Sequence, residues 1–314
     1  MLGRRAAAIC AAMWTMAAVA AEDPFDYQLQ AKAVADGAFV FEGLTQHFSR
    51  ENGGNIVNTG YIVTDDGVVV IDTGPSRRYG EQMRAAIERS SGKPVSQVYL
   101  THAHPDHFLG NQAFSDVPIA ALPATVQSIR SVGDDLAANL YRMVGGWMEG
   151  TEAVNPTQEA QPGEVTIGGR KLQLIAMAGH TEADLVVFDQ RTRTLFAGDL
   201  VFFERAPTTP NAKIQRWIDA LDRLEKLDYA VVVPGHGPVI RDGAAIAQTR
   251  DYLRWLRQSL RAAASQGLDL NEAMQTAVPL QFARLAVFGE EFARSVVHLY
   301  PDIELETLNP APSP

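Results

Sequence analysis

Cysteine is nearly absent from this sequence: Cys10 is the only one in 314 residues, and it lies in the first apolar stretch. A chain that loses that stretch has no thiol, which excludes disulfides and thiolate metal ligands, so any metal must rest on His, Asp or Glu. Basic runs are missing too. With 27 Lys and Arg against 37 Asp and Glu, the formal net charge is -10, and no clustered Lys/Arg patch offers a footing for nucleic acid or an anionic membrane surface. Long apolar runs are scarce: the stretch from Ala6 to Val19 falls short of the roughly 20 residues a membrane-spanning helix needs. What is there, 46% hydrophobic and 20% charged residues, is the make-up of an ordinary globular protein.

Arg4 and Arg5 precede that apolar stretch, and Ala18-Val19-Ala20 ends it with small residues. This is the pattern of a secretory signal peptide cut near Ala20 or Ala21, and bulky Ile9 before Cys10 speaks against a lipid-modified cysteine. Removing Arg4 and Arg5 leaves 25 basic against 37 acidic residues, a mature net charge of -12. The expected setting is the periplasm, with a small molecule as partner, no nucleic acid, and no membrane after cleavage.

Along the rest of the chain, strands are predicted at Ala38 to Phe41, at Ile56 to Val63 and Val68 to Asp72 as a hairpin across Asp65-Asp66-Gly67, at Val95 to Leu100 and at Ile119 to Leu122. Helices are predicted at Tyr79 to Ser91 and Ala124 to Arg130, followed by a lid candidate from Gly133 to Gln161. In the second half, Glu164 to Ile167, Leu172 to Met177, Leu185 to Asp189, Thr194 to Ala197 and Tyr229 to Val233 read as strands, and Gln215 to Leu227 as a helix. Beyond His236 the pattern becomes helical, with Tyr252, Leu253, Leu256 and Leu260 at helical spacing and a further helix around Phe282 to Tyr300. Two β-rich halves with outer helices imply a four-layer αβ/βα sandwich. The expected organisation is a signal peptide at 1–20, one α/β domain at 21–240, a helical extension at 241–305 packed on it, and a tail at 306–314 disordered by composition.

The strongest signal is Thr101-His102-Ala103-His104-Pro105-Asp106-His107, directly after the apolar strand ending at Leu100. On a strand, alternate residues share a face, so His102 and His104 can point into one site while a turn at Pro105 swings Asp106 and His107 to a neighbouring one. Imidazoles packed this closely are costly unless a metal binds them in neutral form. His47 and His298 lie in no comparable context and read as structural or surface residues.

An H-x-H-x-D-H run after a strand resembles the signature of the metallo-β-lactamase superfamily. Further landmarks follow in order: Asp72 in Val70-Ile71-Asp72-Thr73-Gly74, His180 in Ala178-Gly179-His180-Thr181, Asp199 in Phe196-Ala197-Gly198-Asp199, and His236 in Pro234-Gly235-His236-Gly237. The resemblance covers roughly Ala38 to Val239. It implies one metal on His102, His104 and His180, a second on Asp106, His107 and His236, and Asp199 bridging them, with two zinc ions per chain or, in some relatives, a single iron. Asp72 would orient a ligand histidine rather than bind metal. A metal-bridged hydroxide would then be the nucleophile toward a small carbonyl substrate such as a lactone or thioester, and Asp106 would hold that water as well as ligate.

Asp199 and the missing cysteine set the chain apart from dedicated β-lactamases of this fold, and the run from Leu200 to Thr208 departs from the glycine-rich run of glyoxalase II. With the signal peptide and the Trp217 to Leu227 helix, the segment from Gly198 to Thr208 resembles the quinoprotein relay system zinc metallohydrolases, which implies a link to a periplasmic quinoprotein system. A β-lactamase, an iron-dependent persulfide dioxygenase and a non-catalytic cofactor-handling protein stay open as alternatives. Arg205 is either a carboxylate clamp or a salt-bridge partner of Glu204 or another surface acid. Tyr141, Met143, Trp147 and Met148 read as packing rather than as a substrate-lining lid.

Overall fold

The computed structural model describes residues 24–308, so the expected signal peptide and residues 309–314 of the expected tail lie outside them. A first sheet is built from β1 (Lys32–Ala35), β2 (Ala38–Phe41), β3 (Thr59–Val63), β4 (Val68–Ile71), β5 (Val95–Tyr99), β6 (Ile119–Ala121) and β7 (Gln158–Glu159), side by side in chain order. Its first four strands are antiparallel neighbours, and β4 to β7 run parallel. The second sheet has the order β12 (Val231–His236), β11 (Thr194–Phe202), β10 (Asp184–Asp189), β9 (Arg170–Met177), β8 (Gly163–Ile167), with only the β11–β12 pair parallel.

The alternation within β4 explains why there are four layers. Val68 and Val70 turn to one face of the sheet and Val69 and Ile71 to the other, and all four are buried. A strand apolar on both faces has to be covered on both. On the outer side Val68 and Val70 meet Tyr79, Met83 and Ile87 of helix α1 (Arg77–Ser91). On the inner side Val69 and Ile71 meet Leu172, Leu185, Val187 and Phe196 of the second sheet. That sheet is likewise two-faced: Leu185 and Val187 join the layer between the sheets, whereas Val186 joins the cluster beneath the C-terminal helices.

After α1 come the single-turn α2 (Pro105–Phe108), α3 (Pro123–Val144), α4 (Ile214–Leu224), α5 (Ala244–Ser265), the short α6 (Leu270–Ala273) and α7 (Leu280–Ala283), and α8 (Phe288–Leu308). The first sheet is covered by α1 and α3, the second by α4, α5 and α8, whose Trp217, Leu253, Leu256 and Val296 share one core. The result is the αβ/βα sandwich expected from the sequence. No helix among the described residues is long and apolar enough to cross a membrane.

Several boundaries differ from expectation: the helix expected around Phe282 to Tyr300 is split into α7 and α8, and three further differences shape the molecule. Helix α3 does not stop at Arg130 but runs to Val144, taking in much of the expected lid. Gly133 does not break it, because a Cβ there would sit 3.0 Å from the Cβ of Ala153: the helix is pressed against its neighbour, and the missing side chain is what allows it. Strand β11 continues past Ala197 to Phe202, kinking at Gly198 (φ 52°) before pairing resumes between Phe202 and His236. Helix α8 runs to Leu308, past residue 305, where the tail was expected to start.

At one edge the two sheets are tied by a buried ion pair. Arg170 of β9 donates from Nε to Asp189 Oδ1 at 2.8 Å and from Nη2 to Asp189 Oδ2 at 2.6 Å, and also reaches the carbonyl of Asp36 at 2.8 Å, between β1 and β2. Removing one partner leaves an uncompensated buried charge. Arg170→Ala should therefore lower unfolding free energy by roughly 3–5 kcal/mol, seen as a drop in the denaturant midpoint; an unchanged midpoint would contradict this role.

Candidate metal centre

The histidine cluster sits where strands of both sheets end. After β5 stops at Tyr99, Thr101 to His104 continue without strand pairing, so a shared strand face is not what aligns His102 with His104. Pro105 opens α2, for which a proline's fixed φ is suited, and this turn carries Asp106 and His107 inward. His180 lies in the turn after β9, and His236 is the last residue of β12. Asp199 does not follow a strand, as expected, but lies within β11, just after the kink at Gly198. Gly235 is needed beside it: a Cβ there would come 1.9 Å from Asp199 Oδ1.

These elements bring all seven sequence-predicted residues together in two adjoining groups, His102, His104, His180 and Asp199, and Asp106, His107 and His236, with the ligand-type atoms of each group within 4.8 Å of one another. Asp199 touches both. Its Oδ1 is 3.1 Å from His107 Nε2, and its Oδ2 is 3.3 Å from His180 Nε2, 3.3 Å from His236 Nε2 and 3.8 Å from His102 Nε2. Asp106 Oδ2 lies 3.4 Å from His236 Nε2.

Four of the five far ring nitrogens are held from behind, which fixes tautomer and orientation, whereas His180 Nδ1 is buried without a hydrogen-bond partner among the described residues. His107 Nδ1 pairs with Asp72 Oδ2 at 2.8 Å, and Asp72 also accepts from Thr101 N and Thr101 Oγ1, both at 2.8 Å. His102 Nδ1 meets Thr101 Oγ1 at 3.0 Å, His236 Nδ1 the carbonyl of Ile56 at 2.7 Å, and His104 Nε2 Asn211 Oδ1 at 3.1 Å. Asp72 keeps its place with φ at 58°, a left-handed conformation that aspartate tolerates better than most residues. Beneath His180, Asp184 accepts from the backbone N–H groups of His180 and Thr181, and burial pushes its carboxyl up to about 7.

Burial dominates the electrostatics of the first group. It holds the His102 and His180 imidazoles well below their ordinary range, and that of His104 below it, so all three favour the neutral form a metal requires. At His107 and Asp199 burial is outweighed: Asp199, Asp72 and Asp106 raise His107 well above its ordinary value, and His236 and His107 hold Asp199 well below its own. His102 Nε2, His107 Nε2 and Asp199 Oδ1 are buried with no well-formed hydrogen bond. Orphaned buried polar atoms are rare, and three at one point, facing each other, fit a cation. The donors, nitrogen and oxygen without sulfur, suit borderline and hard divalent ions.

A cleft of about 410 Å³ opens onto His104, Asp106, Asp199 and His236, and His47, Asn139, Arg205, Thr208, Asn211, Glu291 and Arg294 complete its polar lining. His47, set aside as structural or surface, is therefore a cleft residue. Arg205 pairs not with Glu204 but with Glu291, at 3.6 Å. Trp147 and Met148 pack in the core, Met143 reaches the cleft, and Tyr141 is exposed. Asn211 and Glu291 carried no sequence signal; Asp184 did, four residues after His180.

Because Asp72 is the acceptor that orients His107, Asp72→Ala should weaken metal binding by about 10- to 100-fold, measured by competition with a chromophoric chelator. Unchanged affinity would show that His107 needs no such support.

Residues 52–236 match the model of the metallo-beta-lactamase superfamily. Among curated relatives, a linear primary-alkylsulfatase of a Pseudomonas strain is 22% identical over 76% of this chain, which spans only 53% of that protein's length. An acyl-coenzyme A thioesterase of Bos taurus is 28% identical over 65% of this chain and 80% of its own. Among solved structures, a metallo-beta-lactamase from Pontibacter korlensis, 26% identical, superposes with a TM-score of 0.57 over 72% of this chain and 99% of its own. With the family match spanning most of the chain and the histidine and aspartate groups assembled at the strand ends, the chain belongs to the metallo-beta-lactamase superfamily.

Proposed function

We propose that this chain is a zinc metallohydrolase, exported to the periplasm, that opens a small carbonyl substrate such as a thioester or lactone. The observation that carries the reading is Asp199, whose two oxygens reach histidines of both groups, the arrangement a carboxylate shared by two ions requires. One ion would rest on His102, His104 and His180, the other on Asp106, His107 and His236. When bound, a pair of divalent ions supplies a water of lowered pKa and a Lewis acid for the substrate oxygen.

The chain's own residues then have separable tasks. Asp106 is buried at the floor of the cleft, with one oxygen turned toward His236. It orients the attacking water and takes its proton. Asp72, Thr101, Ile56 and Asn211 hold the imidazoles so that the cleft needs no rearrangement as charge develops, which is where most of the catalytic gain of such sites lies. Phe48, Ile56, Leu136 and Met143 form an apolar wall, suited to the carbon skeleton of an acyl compound.

The thioester reading draws support from the relative named an acyl-coenzyme A thioesterase. A sulfate ester is the second reading, because the match to the alkylsulfatase extends over more of this chain, 76% against 65% for the thioesterase. The periplasmic setting and the link to a quinoprotein system rest on the N-terminal sequence and on the run from Leu200 to Thr208.

Elemental analysis of the purified protein should give about two zinc per chain, with hydrolysis in a screen of lactone, thioester, sulfate-ester and β-lactam substrates. One iron per chain with oxygen consumption would overturn the hydrolase. His104→Ala should deplete metal and abolish turnover while the thermal transition stays cooperative; full activity in that variant would refute the mechanism.

A further inference from the structure

The wall of the cleft opposite the histidines is built by the end of the chain. Glu291 of α8 is completely buried, and it serves two guanidinium groups at once. Arg294, one turn further on, donates from Nη1 to both Glu291 oxygens at 3.1 and 3.2 Å. Arg205 comes from the loop after β11 and stands 3.6 Å from the same carboxylate. Its remaining contacts are long, 3.4 Å to the Gln46 carbonyl and 3.4 Å to Thr208 Oγ1, and it lies over the Phe202 ring at 5.8 Å. His47 Nε2 is also 3.6 Å from Glu291, and burial lowers its pKa, so it adds little positive charge near neutral pH.

One carboxylate shared by two guanidinium groups leaves a positive excess on this wall. The two arginines differ in how they can use it. Arg205 is 2% exposed and committed to the interior, whereas the Arg294 side chain is 42% exposed and lines the cleft. Glu291 is its only charged partner among the described residues, and only Nη1 is engaged. The guanidinium is thus held in place from one side and presents its other donors to the cleft, where a carboxylate can take two parallel hydrogen bonds. A buried Glu291 is otherwise hard to justify, since burying an ion pair rarely stabilises a fold more than apolar packing would.

Resting on the metallohydrolase reading above, we propose that Arg294, anchored by Glu291 and backed by Arg205, docks a carboxylate at the far end of the acyl compound cleaved beside His104 and Asp106. The substrate class is then an acyl thioester or lactone that carries a free carboxylate, with its carbon chain along Phe48, Ile56 and Met143. Arg294 lies beyond residues 52–236, the part that matches the superfamily. The selectivity would be a property of this chain's C-terminal helices rather than of the shared scaffold.

Two measurements on the metal-loaded protein test this. The first compares kcat/KM for the S-phenyl thioester of glutaric acid with that for its methyl ester, which has the same scissile bond and no charge. The wild type should prefer the acid about tenfold or more. That preference should collapse in Arg294→Gln, mainly through KM, and be partly kept in Arg294→Lys. The second is calorimetric binding of monomethyl glutarate, which should be at least tenfold weaker in Arg294→Gln. Equal binding to wild type and Arg294→Gln, or an acid-to-neutral ratio unaffected by the substitution, overturns the proposal. If no thioester is hydrolysed but monomethyl glutarate still loses affinity in Arg294→Gln, the anion site stands and only the reaction assignment falls.

Discussion

Five imidazoles and two carboxylates, all but one of them buried, cannot be packed together unless their charges and lone pairs are shared. This constraint organises the molecule. Each unpaired ring nitrogen or carboxylate oxygen would cost about 1–3 kcal/mol if left unsatisfied away from water, so the outer side of the cluster is tied to fixed acceptors: Asp72, Thr101, the Ile56 carbonyl and Asn211. The inner side is left open toward Asp199 and the cleft. Four stretches of chain, carrying residues 102–107, 180, 199 and 236, have to meet at the same point for that to work. The layer of Val69, Ile71, Leu185, Val187 and Phe196 between the sheets is what holds those ends in register.

Much of this was legible in the sequence. Two β-rich halves with outer helices, and the spacing of the helical leucines after residue 250, predict a four-layer sandwich, and the landmarks from Asp72 to His236 occur in an order that points to one site. What the sequence did not show has physical reasons. The extent of α3 was hidden because its helical periodicity is weak beyond Arg130, where Gly133 lets the helix pass close to Ala153. The run of β11 past Gly198 was hidden because a kinked strand loses its simple alternation. Arg205, Glu291, Arg294 and His47 are scattered over some 250 positions, and no local pattern marks residues whose relation exists only in three dimensions.

The two sides of the cleft also differ in how they hold their groups. On the histidine side, hydrogen bonds are short and come from backbone or from small, fixed side chains, so little can move. On the arginine side only Arg294 hydrogen-bonds the single carboxylate of Glu291, at 3.1 and 3.2 Å, while Arg205 and His47 stand off at 3.6 Å. Rigid geometry is suited to the bond that breaks, and a looser wall to substrates that vary in length.

The loop that carries Arg205 is stitched to the segment before α8: Ala206 N donates to the Ala286 carbonyl and Ala286 N to that of Glu204, while Thr209 Oγ1 donates to Ser295 Oγ. The part of the cleft that Glu291 and Arg294 line therefore depends on the docking of α8 against this loop. Both residues follow the whole histidine cluster in sequence, so changes in α8 can alter what the cleft admits without touching the residues that would hold metal.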